Sequence, residues 1–532
     1  NNLEGWGGPN SDNWYQQRER LQKQIMKRMK ELGINVCLPG YSGMVPHDAK
    51  ERLGLDVADP GKWNDYKRPA FLQPTSKRFT EIASIYYKEQ QRLYGKADFY
   101  SMDPFHEGGN AGGVDLRKAG EAIMGAMKAV NPNAVWVVQA WGACPYPAMI
   151  KHLKNGDMLV LDLYSENRPQ WGDPESTWYR KEGFNGHDWA FCMLLNFGGN
   201  VGMFGKLQHV VDEYYKARCS SFNSTMKGVG LTMEGIENNP VMYELVSELP
   251  WRDAKFSWKE WLHDYVEARY GNINNAKVHD AWLLLARSVY GAGAKIVEQG
   301  CHESVLCARP ALDVYQVSSW SEMEEFYNPD DVIRAARLMV EASHEVKSNA
   351  NFRYDLVDVT RQAIAEQARY VYDEIVAAYK AKDRKMFDYT TKRFLDILLQ
   401  QDRLLSSMPD FMVGGWIRSA RNLGQNEQER NHYEWNARVQ ITTWGNRSAA
   451  EYGGLREYAH KEWNGVLADF YYPRWKAYFE ALAATLDGKP MKQLDFYAMD
   501  EKWTLQHNVY PYEAQGNPVE FAQTAFENVF GK

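Results

Sequence analysis

The sequence predicts a (β/α)8-type barrel, incomplete at its N-terminus, followed by an all-helical domain. Short apolar runs alternate with amphipathic stretches over the first 240 residues. These runs are apolar on both faces, which is typical of a parallel sheet covered by helices. Beyond about residue 245 such runs vanish and helical spacing takes over. We therefore expect an α/β barrel at 1–245 and an all-α domain at 246–532.

Six strands are predicted in the barrel half, whereas a closed barrel needs eight. Their expected ranges are 34–38, 97–102, 134–141, 158–164, 189–196 and 226–233. Helices are predicted at 12–32, 79–94, 116–129, 146–155 and 207–218, and the first carries Leu21, Ile25, Met29 and Leu32 on one face. Because the chain opens on a loop-like segment, we expect the first barrel strands to be missing.

Helical periodicity governs the second half of the chain. Apolar residues recur at helical spacing in 331–346, 361–379, 385–405, 431–443, 449–469 and 474–486. Stripes of this kind pack helix against helix. We expect residues 246–532 to form one all-helical domain.

Composition narrows the possible functions. The net charge of −7 argues against a nucleic-acid partner. No run approaches the ~18 apolar residues of a membrane span, and the chain as given has no signal peptide.

The 19 Trp and 32 Tyr exceed what a core requires, and such rings stack well on sugars. The cysteines show no metal-type spacing, although Cys301 and Cys307 are close enough in sequence to bridge.

Two glutamates, Glu107 and Glu234, each follow a predicted strand and precede a glycine. Barrel active sites are built at the carboxyl ends of strands, and glycine lets a ligand approach the backbone. Asp162 and Glu166 are rival candidates, because any single strand-end acid also serves as a cap or loop acceptor. Further candidates for substrate binding lie at other strand ends, namely Trp141, Tyr164 and Asn196.

A pair of carboxylates suits glycoside cleavage. One group protonates the leaving oxygen while the other stabilises or attacks the oxocarbenium-like centre. Aromatic walls or a neighbouring carboxylate keep one of the two protonated. A separation of about 5–5.5 Å favours retention of configuration, and about 6.5–9.5 Å favours inversion. No metal or cofactor is needed.

Seven ordered blocks resemble the lysosomal-type α-N-acetylglucosaminidases of glycoside hydrolase family 89. They cover essentially the whole chain and read WGGP at 6–9, LPGYSGMVP at 38–46, DPFHEGG at 103–109, VLDLYSE at 160–166, LLNFGGNVGMFG at 194–205, MEGIENNPVMYEL at 233–245 and YEWNARVQITTWG at 433–445. Seven blocks in this order are far more specific than any one of them.

This resemblance implies a retaining exo-hydrolase of terminal α-linked N-acetylglucosamine, with Glu107 as acid/base and Glu234 as nucleophile. It implies that the helical domain lends residues to the pocket, with Trp416 and Trp435 as candidates. It further implies glycosaminoglycan degradation in a secreted, periplasmic or lysosomal location, with a glycan as the partner. We expect a bacterial homologue that lacks the family's small N-terminal domain and first barrel strands.

One residue departs from the family pattern, and two other functions stay open. His106 stands where the lysosomal-type pattern has Asn, which typically holds the sugar 2-substituent. Histidine also donates a hydrogen bond, but its charge state changes near neutral pH; the alternative is that His106 only packs. The chain could instead be a glycosidase that inverts or cleaves another linkage, or a glycan-binding barrel fragment without catalysis.

Overall fold

Six parallel strands form the central sheet of the computed structural model, which describes residues 10–105, 109–235, 237–295, 303–319 and 326–531. In chain order and in sheet order these are β1 Cys37–Pro39, β2 Phe99–Ser101, β3 Val135–Ala140, β4 Met158–Asp162, β5 Asp188–Met193 and β6 Met226–Leu231. Each neighbouring pair is parallel. The sheet therefore has the βα topology that the sequence predicts, and its carboxyl ends share one edge.

The parallel sheet confirms the predicted fold class, and each strand lies within or beside its expected range. The main difference is at the carboxyl ends, where β2 to β6 stop one to three residues earlier than expected. For example, β5 ends at Met193, and Leu195 adopts a left-handed φ of 63° that no strand tolerates. The chain leaves the sheet there to build a loop.

Helices and short antiparallel strands complete the first half. The helices are α1 Asp12–Glu31, α2 Ala49–Leu53, α3 Lys77–Tyr94, α4 Leu116–Val130, α5 Pro147–Ile150 and α6 Leu207–Arg218. The short strands are Met44–Val45, Val57–Ala58, Lys62–Trp63, Tyr66–Lys67 and Ala70–Leu72, too short for a sequence pattern to reveal. The predicted helix at 146–155 is only the single turn α5. The apolar stripe of α1 is largely exposed, since Leu21 is 41% and Ile25 43% accessible.

The described residues of the second half form helices joined by loops, with no strand among them. Its helices are α7 Pro240–Glu248, α8 Trp258–Tyr270, α9 Ala276–Arg287, α10 Pro329–Val346, α11 Ala350–Lys380, α12 Arg384–Leu405, α13 Val413–Arg421, α14 Glu427–Gln440, α15 Arg447–Glu451, α16 Tyr472–Leu486, α17 Phe496–Thr504 and α18 Pro518–Phe530. The predicted stripe of α11 is buried along its length, including Ile364, Ala368 and Val371. None of the described helices has the length and apolar character that a membrane span requires.

The predicted helix at 449–469 is wrong in its middle. Only α15 and a π-helical turn at Leu467–Tyr471 are helical there. Gly453 and Gly454 follow α15, and Glu457 has a left-handed φ of 54°, so the helix cannot continue. The segment between the two helical turns is available for contacts with neighbouring loops.

The chain divides into two compact units. The first comprises Asn1–Leu194, Asp212–Thr232 and Val246–Trp251, and the second Leu195–Val211, Met233–Leu245 and Arg252–Lys532. The loops after β5 and β6 therefore belong with the helical residues. The simple division at residue 245 stays a prediction.

A buried arginine organises the second unit around these loops. Arg361 on α11 donates to Asp358 at 2.7 Å, to Glu462 at 2.7 Å and to the carbonyl of Val201 at 2.9 Å. All three side chains are at most 3% exposed. Because a buried charge is tolerated only when it is paired and hydrogen-bonded, Arg361 fixes the loop after β5 relative to residue 462.

Candidate active site

The carboxylate of Glu234 lies just beyond β6 and is held by two donors. The backbone N–H of Gly198 and the hydroxyl of Tyr458 both donate to Oε2, at 2.6 and 2.7 Å. No described residue bonds Oε1, and the side chain is exposed. Both donors interact more strongly with a carboxylate than with a neutral acid. One oxygen is therefore held in place, while the other has no hydrogen-bond partner among the described residues.

Glycines allow the three segments around Glu234 to meet. A Cβ on Gly198, whose φ is +64°, would lie 1.9 Å from the carbonyl oxygen of Tyr458. A Cβ on Gly235 would lie 2.5 Å from the Cα of Gly199. Any side chain at either position would push the loops apart and lengthen the hydrogen bonds to Glu234.

A buried lysine lies beneath the same loops. Lys461 is 6% exposed, and its ammonium donates to the carbonyl of Gly199 and lies 5.3 Å from the Trp463 ring. Burial lowers the pKa of Lys461 to about 8, although the charge of Glu237 acts in the opposite direction. The lysine ties the Gly198–Gly199 turn to the 458–463 segment.

Left-handed backbone recurs at residues flanking this site. Leu195, Trp444 and Glu457 have φ values of 63°, 57° and 54°. Such values are uncommon for bulky side chains and cluster at functional sites, where the surrounding structure maintains them. Leu195 precedes Asn196, Glu457 precedes Tyr458, and the Trp444 ring lies 5.6 Å from that of Tyr458. The distortion therefore marks the segments that meet at Glu234.

Asn196 supports the glutamate loop. Its side-chain NH₂ lies 3.2 Å from the carbonyl of Gly235 and 3.3 Å from Oδ1 of Asn238 and from the hydroxyl of Tyr243. It is 3% exposed, and Oδ1 has no hydrogen-bond partner among the described residues. Its amide nitrogen thus positions the turn after Glu234.

Trp141 and Tyr164 are brought together in the first unit, as the sequence predicts for strand ends. Their rings stack with centroids 6.1 Å apart and an interplanar angle of 28°. Trp178, which the sequence did not single out, packs edge-on against Trp141 at 4.8 Å, and Arg168 lies 5.3 Å from the Trp178 ring. Together they form an aromatic cluster at the carboxyl ends of β3 and β4, and aromatic faces of this kind suit sugar stacking.

The two predicted tryptophans of the helical domain lie on adjacent helices, α13 and α14. Trp416 donates from Nε1 to the carbonyl of Ala437 at 2.9 Å, and its ring lies 6.2 Å from that of Trp463. Trp416 therefore reaches the Glu234 loops indirectly, through Trp463 and Lys461. Trp435 packs on His432 at 5.7 Å, and no contact joins it to Glu234 in the described part of the chain.

The partner glutamate, Glu107, and its neighbour His106 lie outside the described residues. Just before them, Asp103 accepts a hydrogen bond from the N–H of Gln139 at 3.1 Å, and burial raises the pKa of Asp103. The beginning of the Glu107 loop is therefore tied to the carboxyl end of β3. Their predicted roles are not tested by this geometry.

The rival carboxylates Asp162 and Glu166 both accept hydrogen bonds from backbone N–H groups. Asp162 Oδ2 accepts from the N–H groups of Gln170 and Trp171 at 2.9 and 3.1 Å, and its burial raises its pKa to about 7. Glu166, 1% exposed, accepts from the N–H of Leu194 at 2.9 Å. These contacts favour structural roles in the loop after β4 and at the end of β5.

The sequence singles out Glu234 and the glycines beside it, but not Tyr458, which contacts Glu234, or Lys461, which contacts Gly199. Both lie in the stretch expected to be helical. Two signals were present, the Gly453–Gly454 pair within a predicted helix and the run of ionisable residues at 460–462. Neither reveals which partner these residues meet, because that depends on a contact between residues more than 200 positions apart.

Comparisons with known proteins agree over both halves. The family model for the α-N-acetylglucosaminidase tim-barrel domain matches residues 1–253, and that for the α-N-acetylglucosaminidase C-terminal domain matches residues 261–528. Human (Homo sapiens) α-N-acetylglucosaminidase is 32% identical over 549 residues, covering 99% of this chain and 71% of the human protein.

Solved structures give the same result. A family 89 glycoside hydrolase from Clostridium perfringens in complex with PUGNAc matches with a TM-score of 0.92 and 33% identity. A variant of the Clostridium perfringens enzyme, with two glutamates replaced by glutamine, was solved with its substrate GlcNAc-α-1,4-galactose and matches with a TM-score of 0.92 and 32% identity. In both cases the match covers 99% of this chain and 60% of the other.

The barrel sheet, the helical half and these matches place the chain in a family of glycoside hydrolases. The chain belongs to the α-N-acetylglucosaminidase family, glycoside hydrolase family 89. It spans about three fifths of the length of the solved relatives.

The glycine contacts predict a large difference between two alanine substitutions. Gly198→Ala and Gly33→Ala both place alanine at positive φ, which costs about 1–2 kcal/mol. Only at Gly198 does the new Cβ meet backbone, since nothing lies within 4 Å of Gly33. We expect Gly198→Ala to lower the free energy of unfolding by at least ~2 kcal/mol more than Gly33→Ala in urea titrations. Equal losses would show that the Gly198 loop yields freely.

A second prediction concerns Asp162. Its folded-state pKa of about 7 lies above the ordinary value of 3.8, so the folded wild type binds more protons than the unfolded chain between these values. Wild-type stability should therefore fall as pH rises through this window. Asp162→Asn keeps an acceptor but cannot ionise, so its stability relative to wild type should rise by up to about 4 kcal/mol from pH 4 to pH 7. Parallel stability curves from chemical denaturation would contradict this.

Proposed function

We propose that the chain is a retaining exo-glycosidase that hydrolyses terminal, non-reducing α-linked N-acetylglucosamine by double displacement. Glu234 is the nucleophile and Glu107 the acid/base. The observation that carries the proposal is the geometry of Glu234: two donors hold Oε2, and no described residue bonds Oε1. A nucleophilic carboxylate needs a fixed orientation and one oxygen that no other protein group occupies.

Stereochemistry favours an enzyme nucleophile. In an α-glucosaminide the 2-acetamido group lies cis to the leaving group, so it cannot attack the anomeric carbon from the opposite face. A carboxylate of the protein must attack instead. Glu107 then protonates the glycosidic oxygen as Glu234 attacks, and later deprotonates the incoming water. For this to happen the two carboxyl groups should lie about 5–5.5 Å apart.

The division of labour between the two halves is part of the proposal. The barrel at 1–245 supplies both glutamates, and the helical domain at 246–532 contributes to the pocket. The Tyr458 hydroxyl bound to Glu234 supports this contribution. His106, Trp141, Tyr164, Asn196, Trp416 and Trp435 are proposed to bind substrate. Among them Asn196 acts through the Gly235 turn, and Trp141 and Tyr164 offer an aromatic face.

Substrate identity beyond the terminal sugar is proposed from a relative. Because the Clostridium perfringens variant holds GlcNAc-α-1,4-galactose, this disaccharide is the first natural linkage to test. Heparan-type and mucin-type glycans can both end in α-linked N-acetylglucosamine. Comparing the rates of hydrolysis of the two kinds of glycan would show which one is the better substrate. A secreted, periplasmic or lysosomal location stays a prediction.

The first test replaces each glutamate by alanine and uses an aryl α-N-acetylglucosaminide with a good leaving group. Glu234→Ala should lower kcat by about 10³-fold or more. Azide should partly restore turnover in both variants because it fills the vacated space. It should give the β-glycosyl azide with Glu234→Ala, since azide attacks from the nucleophile's face, and the α-glycosyl azide with Glu107→Ala. Product configuration is read by NMR.

Other outcomes of this test decide between the alternatives. Unchanged turnover in Glu234→Ala removes it from the nucleophile role. A wild type that first releases the β-anomer of the sugar inverts configuration, and one that cleaves only β-linked substrates has another specificity. A wild type that binds the disaccharide without cleaving it is a glycan-binding protein.

Tyr458→Phe tests the clamp directly. Without the hydroxyl, the Gly198 N–H is the one donor to Glu234 that remains among the described residues, and the side chain gains rotational freedom. Misplacement of a reacting group is costly, so kcat/KM should fall about 10- to 100-fold while Tm stays close to wild type. Tyr452→Phe is the matched control, because Tyr452 is in the same segment but 88% exposed. Equal activity of the two variants would show that the hydroxyl does not position Glu234.

A further inference from the structure

Two histidines and a glutamate meet on the surface of the helical half, on the α8–α9 hairpin. His263 and Glu267 are one helical turn apart on α8, and His279 is in the first turn of α9. Their nitrogen and carboxylate oxygen atoms all lie within 4.8 Å of one another. No residue of this group contacts Glu234 or the loops that hold it in the described part of the chain.

The three side chains already face one another. Nε2 of His279 lies 2.5 Å from Oε1 of Glu267. The rings of His263 and His279 stack with centroids 4.5 Å apart and an interplanar angle of 14°. Each imidazole ring has two nitrogens, one of which offers its lone pair to a metal while the other carries the proton.

The hairpin holds these ligands in place. The carboxylate of Glu267 accepts from the N–H of Asn274 at 3.3 Å, and Asn275 caps α9 through the N–H of Val278. Gly271 and Asn274 have left-handed φ values of 81° and 43°, which define a tight connection between the two helices. Side chains that ligate metals generally have such outer partners, which fix their orientation.

The chemistry of the set selects the kind of ion. Two imidazoles and one carboxylate suit Zn²⁺ and similar borderline ions, whereas Mg²⁺ and Ca²⁺ prefer all-oxygen sites. Bonds of about 2.0–2.2 Å from Zn²⁺ require the three donor atoms to lie closer together than their present separations of up to 4.8 Å. The side chain of His263 is 64% exposed, so its ring is free to rotate toward the other two.

We propose that His263, Glu267 and His279 bind one Zn²⁺ ion, with water completing the coordination, and that the ion clamps α8 to α9. Glu267 and His279 are twelve positions apart in the sequence, so the three ligands converge only when the hairpin is folded. An ion that binds the folded state preferentially stabilises it by mass action. The site is structural and independent of the hydrolysis proposed above.

The experiment is a Zn²⁺ titration of the full chain after treatment with a chelator, followed by calorimetry and by Tm. Wild type should bind one ion and gain Tm. His263→Ala and Glu267→Gln should bind at least about tenfold more weakly and lose the gain in Tm. His152→Ala is the matched control, since His152 is an exposed histidine outside the group, and it should behave as wild type. Co²⁺ in place of Zn²⁺ should give visible absorption in wild type and not in His263→Ala.

A purely structural hydrogen bond between Glu267 and His279 gives a different pattern. Glu267→Gln would then lower Tm equally with and without Zn²⁺, and His263→Ala would change nothing. Absence of Zn²⁺ binding by wild type, or equal affinity in wild type and His263→Ala, overturns the proposal. Neither result bears on Glu107 or Glu234.

Discussion

The geometry around Glu234 depends on the close approach of backbone segments that only glycine permits. Gly198 must lie against the Tyr458 carbonyl for its N–H to reach Oε2, and Gly235 must lie against Gly199 for the carboxylate to project from the same place. A side chain at either glycine separates the segments. The clamp on Glu234 is therefore a property of three loops together and not of the glutamate's own strand.

Buried charges keep those loops in position. Arg361 links the loop after β5 to Glu462, and Lys461 links the Gly198–Gly199 turn to the same segment. Both charges are buried, where a charged group without a partner is costly. Conformations of these loops that break the contacts of Arg361 or Lys461 are therefore unfavourable. The lowered pKa of Lys461 shows that burial is not fully offset there. Burying Lys461 therefore costs folding stability close to Glu234, the proposed nucleophile.

Much of the architecture could be predicted because its signals are local. Six strands and the long helices follow from periodicity in windows of a few residues, and α6 was predicted at Leu207–Arg218 as observed. Prediction failed where the backbone departs from regular structure. β5 ends at Met193, two residues before the left-handed Leu195. The helix expected at 449–469 ends at Glu451, six residues before the left-handed Glu457. Local rules fail at these segments because long-range contacts decide their conformation.

The sequence by itself determined the alternation of strands and helices, the helical second half, and the two glutamates beside glycines, since spacing and residue type carry that information. The roles proposed for Glu107 and Glu234 came from the sequence blocks that resemble the family. Only the tertiary structure decided that Tyr458 and Gly198 share one oxygen of Glu234, that Asp162 and Glu166 bind backbone, and that His263, Glu267 and His279 converge. Contacts of this kind join residues that are far apart in the sequence, so the distances between them depend on how the whole chain packs.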